Sequence, residues 1–410
     1  MPGGDHVPFN RPYYVGDEHR RVLDAIAAGH ISASGTFTDR CERELEERLG
    51  APRVLLTPSG TAALEAAALL LDIGPGDEVI MPSYTFASTA NAFALRGAVP
   101  VFVDIREDTL NLDERLVEAA ITGRTRAIVP VHYAGVGCEM AALVEIADRH
   151  GLAIVEDAAH AAMGARRGRP LGTFGRLGAL SFHETKNLTC GEGGALIIND
   201  SALVARAEVL RDKGTNRSRF LRGEIDRYTW VEVGSSLGLS DLNAAFLWAQ
   251  LGDADAITAA RLRIWHRYDR AFAELETLGV LRRPIVPEDC EHNAHMYYLL
   301  LPGQFERDAL IAGLRCRGVD AVFHYVPLHS APAGLRVGRC AGSLGKTDRQ
   351  TARIVRLPLW AAMTDEIADR VIGAVEDALA QAVPPAPARF TRPEAVGDGR
   401  RAGGALELAS

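Results

Sequence analysis

Between residues 54 and 198, short continuous apolar runs alternate with stretches rich in good helix formers. The runs fall at 54–56, 79–81, 99–103, 127–131, 153–155 and 195–198, and another short one precedes Ser181. Unbroken apolar runs of this length are how strands covered on both faces of a parallel sheet read, whereas half-exposed strands alternate with polar residues. Helical stretches at 61–71, 88–96 and 139–150 separate them, and Gly74-Pro75-Gly76-Asp77 supplies turn residues after the first. Strand and helix in alternation predict an α/β layer architecture with a mostly parallel central sheet.

Two helices are expected before this region. The second carries Phe37, Cys41, Leu45 and Leu49 at i, i+4 spacing, one apolar stripe. Beyond Ser240 the pattern turns helical, at 241–251 and again from about 256 to 275. A smaller α+β unit follows, with a strand at 296–301, a helix at 307–317, a strand at 321–325 and a last helix at 365–382. At 410 residues the chain exceeds the size at which one core usually stops growing. The expected division is a large domain at 1–253, a small C-terminal domain at 254–383 and a tail at 384–410. That tail is rich in Pro, Gly and Arg with little to bury, so it is expected to be disordered.

Composition narrows the class. A formal net charge of -8 argues against a nucleic-acid partner, though local donors can still bind a small anion. No apolar run approaches the roughly 20 residues that cross a bilayer, and the first residues lack the charged and apolar regions of a secretory signal. The six cysteines are scattered without C-x-x-C or metal-like spacing. These features predict a cytoplasmic protein with reduced thiols and no membrane association.

Three segments carry candidate chemistry. Ser59-Gly60-Thr61 ends a strand and opens a helix, where unpaired N–H groups and the positive dipole end attract phosphate; the same residues also read as a plain N-cap. Glu156-Asp157 ends the apolar run 153–155, at the carboxyl edge where α/β sheets bind ligands. A carboxylate there can keep a ring nitrogen protonated, or simply cap the next helix. Ser181-Phe182-His183-Glu184-Thr185-Lys186 follows a further strand, and Gly191-Glu192-Gly193-Gly194 follows the lysine. A lysine becomes a neutral nucleophile when burial or cationic surroundings lower its pKa. His132, His183, His324 and His329 show no metal-ligand spacing such as H-E-x-x-H, so no metal is expected.

The order of phosphate cup, carboxylate and lysine resembles the pyridoxal-phosphate (PLP) dependent nucleotide-sugar aminotransferases of the DegT/DnrJ/EryC/StrS group. The carrying segments are Ser59-Gly60-Thr61-Ala62-Ala63-Leu64, Gly76-Asp77-Glu78-Val79-Ile80, Glu156-Asp157-Ala158-Ala159-His160, Ser181 to Lys186 and Tyr325-Val326-Pro327-Leu328-His329. The likeness runs from about Pro8 to Ala382. It implies the type I PLP-dependent transferase fold, similar to aspartate aminotransferase, and a homodimer with shared active sites. It also implies roles: Lys186 as the cofactor-binding and proton-moving lysine, Asp157 on the pyridine nitrogen and Phe86 stacked on the ring. Ser59, Gly60, Thr61, Ala62 and Ser181 would form the phosphate cup, with His160 beside the ring. Relatives place an asparagine that reaches the neighbouring subunit's phosphate in or next to the slot held here by Gly238; Ser236 is the nearby substitute. Tyr325 and His329 would line the sugar pocket, and Lys213 with Arg217 would meet the diphosphate.

Within the group the chain is most like the branch making dTDP-4-amino-4,6-dideoxygalactose. This implies a dTDP-4-keto-6-deoxyhexose acceptor aminated at C4, with L-glutamate as donor. Amination at C3 of a 3-keto isomer is the alternative. Family dehydratases carry histidine in place of the lysine, and a non-catalytic regulator would be expected to lose Lys186 or Asp157; both residues are present.

Overall fold

The computed structural model describes residues 6–382, so the expectation for the 384–410 tail falls outside the described residues. Seven strands build the body of the central sheet: β1 (Arg53–Thr57), β2 (Glu78–Pro82), β3 (Val99–Val103), β4 (Thr125–Ile128), β5 (Ala153–Asp157), β6 (Leu177–Ser181) and β7 (Gly194–Ile198). Their spatial order is β1-β7-β6-β5-β4-β2-β3, and the two-residue strand Arg339–Cys340 pairs along the far side of β3. All neighbours run parallel except that β7 is antiparallel to both β1 and β6.

The apolar runs are explained by where alternate residues go. In β1, Leu55 packs into one core with Val79, Val155 and Leu196, while Val54 and Leu56 face another with Leu180 and Ile197. Both faces are covered, so period-two alternation of polar residues has no place. Each such side chain contributes about 1.5–3 kcal/mol by leaving water. On the second face, Phe37, Cys41, Leu45 and Leu49 of helix Thr36–Leu49 pack as the stripe predicts.

A separate apolar core gathers residues from Ile264 to Leu379. It is built by helix Ala254–Ala271, the antiparallel pair β8 (Tyr297–Leu300) and β9 (Ile354–Leu357), and helices Gln304–Cys316 and Asp365–Ala382. Val7 also belongs to this core and bridges Val319.

The strand expected at 321–325 does not form. Only Val322 makes a bridge, to Arg356. The reason lies at His324, whose carbonyl accepts from Tyr84 Oη at 2.6 Å instead of from a strand partner. That turns His324 and Tyr325 toward the sheet's carboxyl edge. The excursion 213–230 holds helix Arg217–Leu221 and a Thr215–Trp230 bridge, with Trp230 and Val233 left 70% and 68% exposed. All six cysteines are free. Among the described residues no helix is long and apolar enough to cross a membrane.

Candidate active site

Register brings three chain segments together at one end of the sheet. Thr57 and Ser181 both pair with Gly194, placing the exits of β1 and β6 on either side of the entrance to β7. Helix Gly60–Leu70 starts there, and its first amides have no carbonyl four residues earlier to bond. The chain can approach this closely only because of two glycines. A Cβ at Gly194 would collide with the Ser59–Gly60 backbone, and one at Gly60 would sit 2.9 Å from Ser181 Cβ.

Beside this helix start lies a cavity of about 640 Å³. Ser59, Gly60, Thr61 and Ser181 line it together with Phe86, Asp157, His160, Lys186 and Tyr325. Ser59 is the N-cap: its Oγ accepts the Ala62 N–H at 3.0 Å. Ala62 is therefore buried behind the cup with its N–H already used, rather than lining the cavity as expected. The N-cap reading of this segment holds, and capping by Ser59 leaves Gly60 and Thr61 lining the cavity.

Asp157 ends β5 and is 5% exposed. Its Oδ1 accepts the Ala159 N–H at 3.1 Å and its Oδ2 accepts from Thr89 Oγ1 at 2.7 Å. Thr85 in turn lies 2.7 Å from Thr89. Its neighbour Glu156 points the other way, into full burial with His132 and the Gly172 and Gly175 amides, a purely architectural placement. The His160 ring stacks on His295 with centroids 4.3 Å apart, and its buried Nδ1 has no partner. Burial, with Lys186 and Arg356 nearby, holds His160 well below its ordinary pKa and therefore neutral. Phe86 precedes helix Ala87–Ala94 with its ring 61% exposed.

Lys186 is half-buried, and among the described residues its amine makes no hydrogen bond or ion pair. Burial lowers its pKa from 10.5 to about 8, against the opposing pull of Asp157 and with help from Arg356. A sequence model of the DegT/DnrJ/EryC1/StrS aminotransferase family matches residues 13–376. The chain belongs to that family. It is 35% identical over 379 residues to the spore coat polysaccharide biosynthesis protein SpsC of Bacillus subtilis, covering 90% of this chain and 96% of SpsC. It is similar to the aminotransferase TlmJ from Streptoalloteichus hindustanus, with a TM-score of 0.85, 32% identity and coverage of 92% and 100% of the two chains. Spr1654 from Streptococcus pneumoniae, solved in a PLP form, has a TM-score of 0.83 at 27% identity, covering 92% of this chain and 100% of that one.

This member of the family is thus an enzyme, an aminotransferase, and its cofactor is pyridoxal phosphate. The cavity fits the group. It offers a helix start for a phosphate, a buried carboxylate for a ring nitrogen and a low-pKa lysine for an aldehyde, and its volume leaves space for a substrate as well. The lysine's shift has a measurable consequence for this aminotransferase. At pH 7.5 an amine with a pKa near 8 is roughly one-quarter neutral, against about 0.1% for an ordinary lysine. The rate at which the apo-protein takes up pyridoxal phosphate should therefore rise with pH to a plateau above about pH 8. Growth of the visible band, followed by stopped flow between pH 6 and 10, reads this; a rise with a midpoint near 10 would contradict it.

Other expected site residues of the aminotransferase lie elsewhere. Lys213, Arg217 and Ser236 line a second, smaller cavity of about 100 Å³ together with Gly238. Lys213 Nζ pairs with Asp212 at 3.2 Å, and Arg217 Nη1 lies 3.7 Å from the same carboxylate. They do not line the Lys186 cavity. His329 is held by Ser83 at 2.7 Å and Asp348 at 3.2 Å and does not line the cavity either, whereas Tyr325 does. The four histidines considered for a metal have separate settings: His132 on Glu156, His183 on Thr185, His324 on Tyr133, and His329 on Ser83.

Sequence reasoning missed Thr89, Ser88, His295 and Arg356. Thr85 and Thr89 stand four residues apart just after β2, a spacing that could have put both hydroxyls on one helix face. Ser88 Oγ lies 2.7 Å from Thr61 Oγ1 at the cup. No local signal marked His295 or Arg356.

Proposed function

We propose that the enzyme transfers an amino group from L-glutamate to C4 of a dTDP-4-keto-6-deoxyhexose, acting as a cytoplasmic homodimer whose sites are completed across the interface. The observation that carries the chemical part is the convergence of Lys186, Asp157 and the Gly60–Thr61 helix start on one cavity.

Pyridoxal phosphate, when bound, supplies the electron sink that stabilises negative charge on the amino-bearing carbon. The chain supplies orientation and proton movement. Gly60, Thr61 and Ser181 would hold the phosphate, Phe86 and His160 would flank the ring, and Asp157, fixed by Thr89 and Ala159, would keep a proton on the ring nitrogen. Lys186 Nζ would hold the cofactor and, with a pKa near 8, can both accept and return a proton close to neutral pH. Tyr325, which lines the cavity with its hydroxyl 3.4 Å from His160 Nε2, would contact the sugar.

A sugar acceptor is supported by the relatives: SpsC is named for polysaccharide biosynthesis. The C4 and dTDP parts rest on motifs around the lysine and the distal loop, Phe182 to Asn187, Lys213 to Ser218 and Phe323-His324-Tyr325. The homodimer is supported by the exposed apolar Trp230 and Val233, and by a second cavity at which Lys213, Arg217 and Ser236 stand apart from the Lys186 site. Incubation with glutamate and each keto sugar in turn, with products read by mass and NMR, should give turnover of the 4-keto compound. Turnover of the 3-keto isomer alone defeats the C4 assignment, and an active monomer in sedimentation defeats the shared site.

A further inference from the structure

The segment 293–295, just before β8, joins two parts of the cavity wall that lie far from it in sequence. Asn187, Asn293 and His295 are all buried and hydrogen-bond to one another. Asn187 directly follows Lys186, and its Nδ2 donates to the Asn293 carbonyl at 2.7 Å. Its Oδ1 lies 2.9 Å from His295 Nδ1. An amide oxygen only accepts, so this ring nitrogen carries the N–H, and burial keeps the imidazole neutral with that one proton. The Asn293 side chain reaches the segment after β5. Its Nδ2 donates to the His160 and Ala162 carbonyls, both at 2.8 Å, and its Oδ1 accepts the His295 N–H at 3.0 Å. The His295 ring stacks on His160 as well.

The segment is itself fixed to the helix Ala254–Ala271, whose Arg261 donates to the Ala294 and His295 carbonyls at 3.1 and 2.7 Å. The turn bearing Lys186 is thus held at two points. One is local, the Lys186 N–H to the His183 carbonyl at 2.9 Å, and the other is Asn187. A lysine stem is long and flexible, so the backbone beneath it has to be fixed if Nζ is to arrive at one reacting carbon. A buried polar network with every group paired holds a single geometry, because each alternative strands a donor or an acceptor. Turning the Asn187 amide over would set N–H against N–H at His295 and oxygen against oxygen at Asn293.

We propose that Asn187, clamped by His295 and Asn293, is a positioning residue that places Lys186 Nζ for its bond to the cofactor aldehyde. This rests on Lys186 as the cofactor-holding lysine and is independent of the amino donor and the sugar.

The apo-protein should be mixed with pyridoxal phosphate at increasing concentrations by stopped flow, and titrated with pyridoxamine phosphate by calorimetry. The limiting rate of growth of the visible band reads how readily Nζ meets the aldehyde. The half-saturating concentration, and the affinity for pyridoxamine phosphate, which has no aldehyde, read the remaining contacts of the cavity. His295→Phe keeps a flat ring against His160 and removes the donor. Its limiting rate should fall about 10- to 100-fold while both affinities move by less than about threefold, since a small misplacement costs rate rather than binding. Asn187→Leu should behave in the same way. His295→Asn, whose amide nitrogen can stand near the place of Nδ1, should recover most of the rate. An unchanged limiting rate in both His295→Phe and Asn187→Leu, an equal loss of rate and of pyridoxamine phosphate affinity, or no recovery in His295→Asn overturns the clamp. Lys186→Ala tests the reading beneath it: a band that still grows there at the wild-type rate would defeat the lysine assignment, and the clamp with it.

Discussion

Lys186→Ala should leave a folded protein that lacks both turnover and the visible band of lysine-bound pyridoxal phosphate. The expected fall in rate is roughly 10⁴-fold or more, at the upper end of what a positioned acid–base group supplies, because in the proposed role this amine would also hold the cofactor. Folding should not suffer. Lys186 stands in the segment after β6, and its amine makes no hydrogen bond or ion pair among the described residues. The sign of the stability change follows from its lowered pKa. Between about pH 8 and 10.5 the folded apo-protein binds fewer protons than the unfolded chain, so wild-type stability rises with pH across that window. Below it the buried cation is a penalty in full, and alanine removes it. Thermal unfolding of the two apo-proteins at pH 7 should show the variant at least as stable as the wild type. Retained wild-type turnover would end the assignment of Lys186.

Asp157→Asn should lower kcat by about 100- to 1000-fold, the scale of removing a preorganised electrostatic partner from a water-poor site. The substitution isolates charge from shape. An amide oxygen can keep the Ala159 N–H, and the Thr89 and Thr85 hydroxyls can reverse their donor order to accept the new amide hydrogens. What is lost is the negative charge that, in the proposed role, would keep a ring nitrogen protonated. Steady-state kinetics with the cofactor band as a loading control measures this. An unchanged rate would remove Asp157 from the reaction.

The parts of this site legible in the sequence share one property: each lies immediately after a buried strand. Ser59-Gly60-Thr61 follows β1, Asp157 closes β5, and Ser181 opens the segment leading to Lys186 from β6. Strands covered on both faces announce themselves as apolar runs, so their carboxyl ends can be counted off the chain. Arg356 and His295 could not be found that way. They reach the cavity from β9 and from just before β8, and their placement depends on how the second core docks on the first. The missing strand at 321–325 has the same origin. Its residues have strand propensity, but a tyrosine hydroxyl from residue 84 takes the carbonyl that a ladder would need. Lys213, Arg217 and Ser236 were reached only through the family resemblance, and their grouping in a cavity apart from Lys186 was not legible at all.

The placement of Val7 and Phe9 bears on how the protein is made. A ribosome releases these residues well before their partners, since Val7 packs among side chains from Ile264 to Leu379, and Phe9 lies against Arg356. The segment therefore has nowhere to dock until most of the chain has been synthesised, while the βα units of the sheet already have their neighbours and can assemble in passing. The cavity wall formed by Phe9 and Arg356 closes only after residue 356 has been released. A nascent chain arrested before residue 354 would hold its cup, its carboxylate and its lysine with that side of the cavity still open.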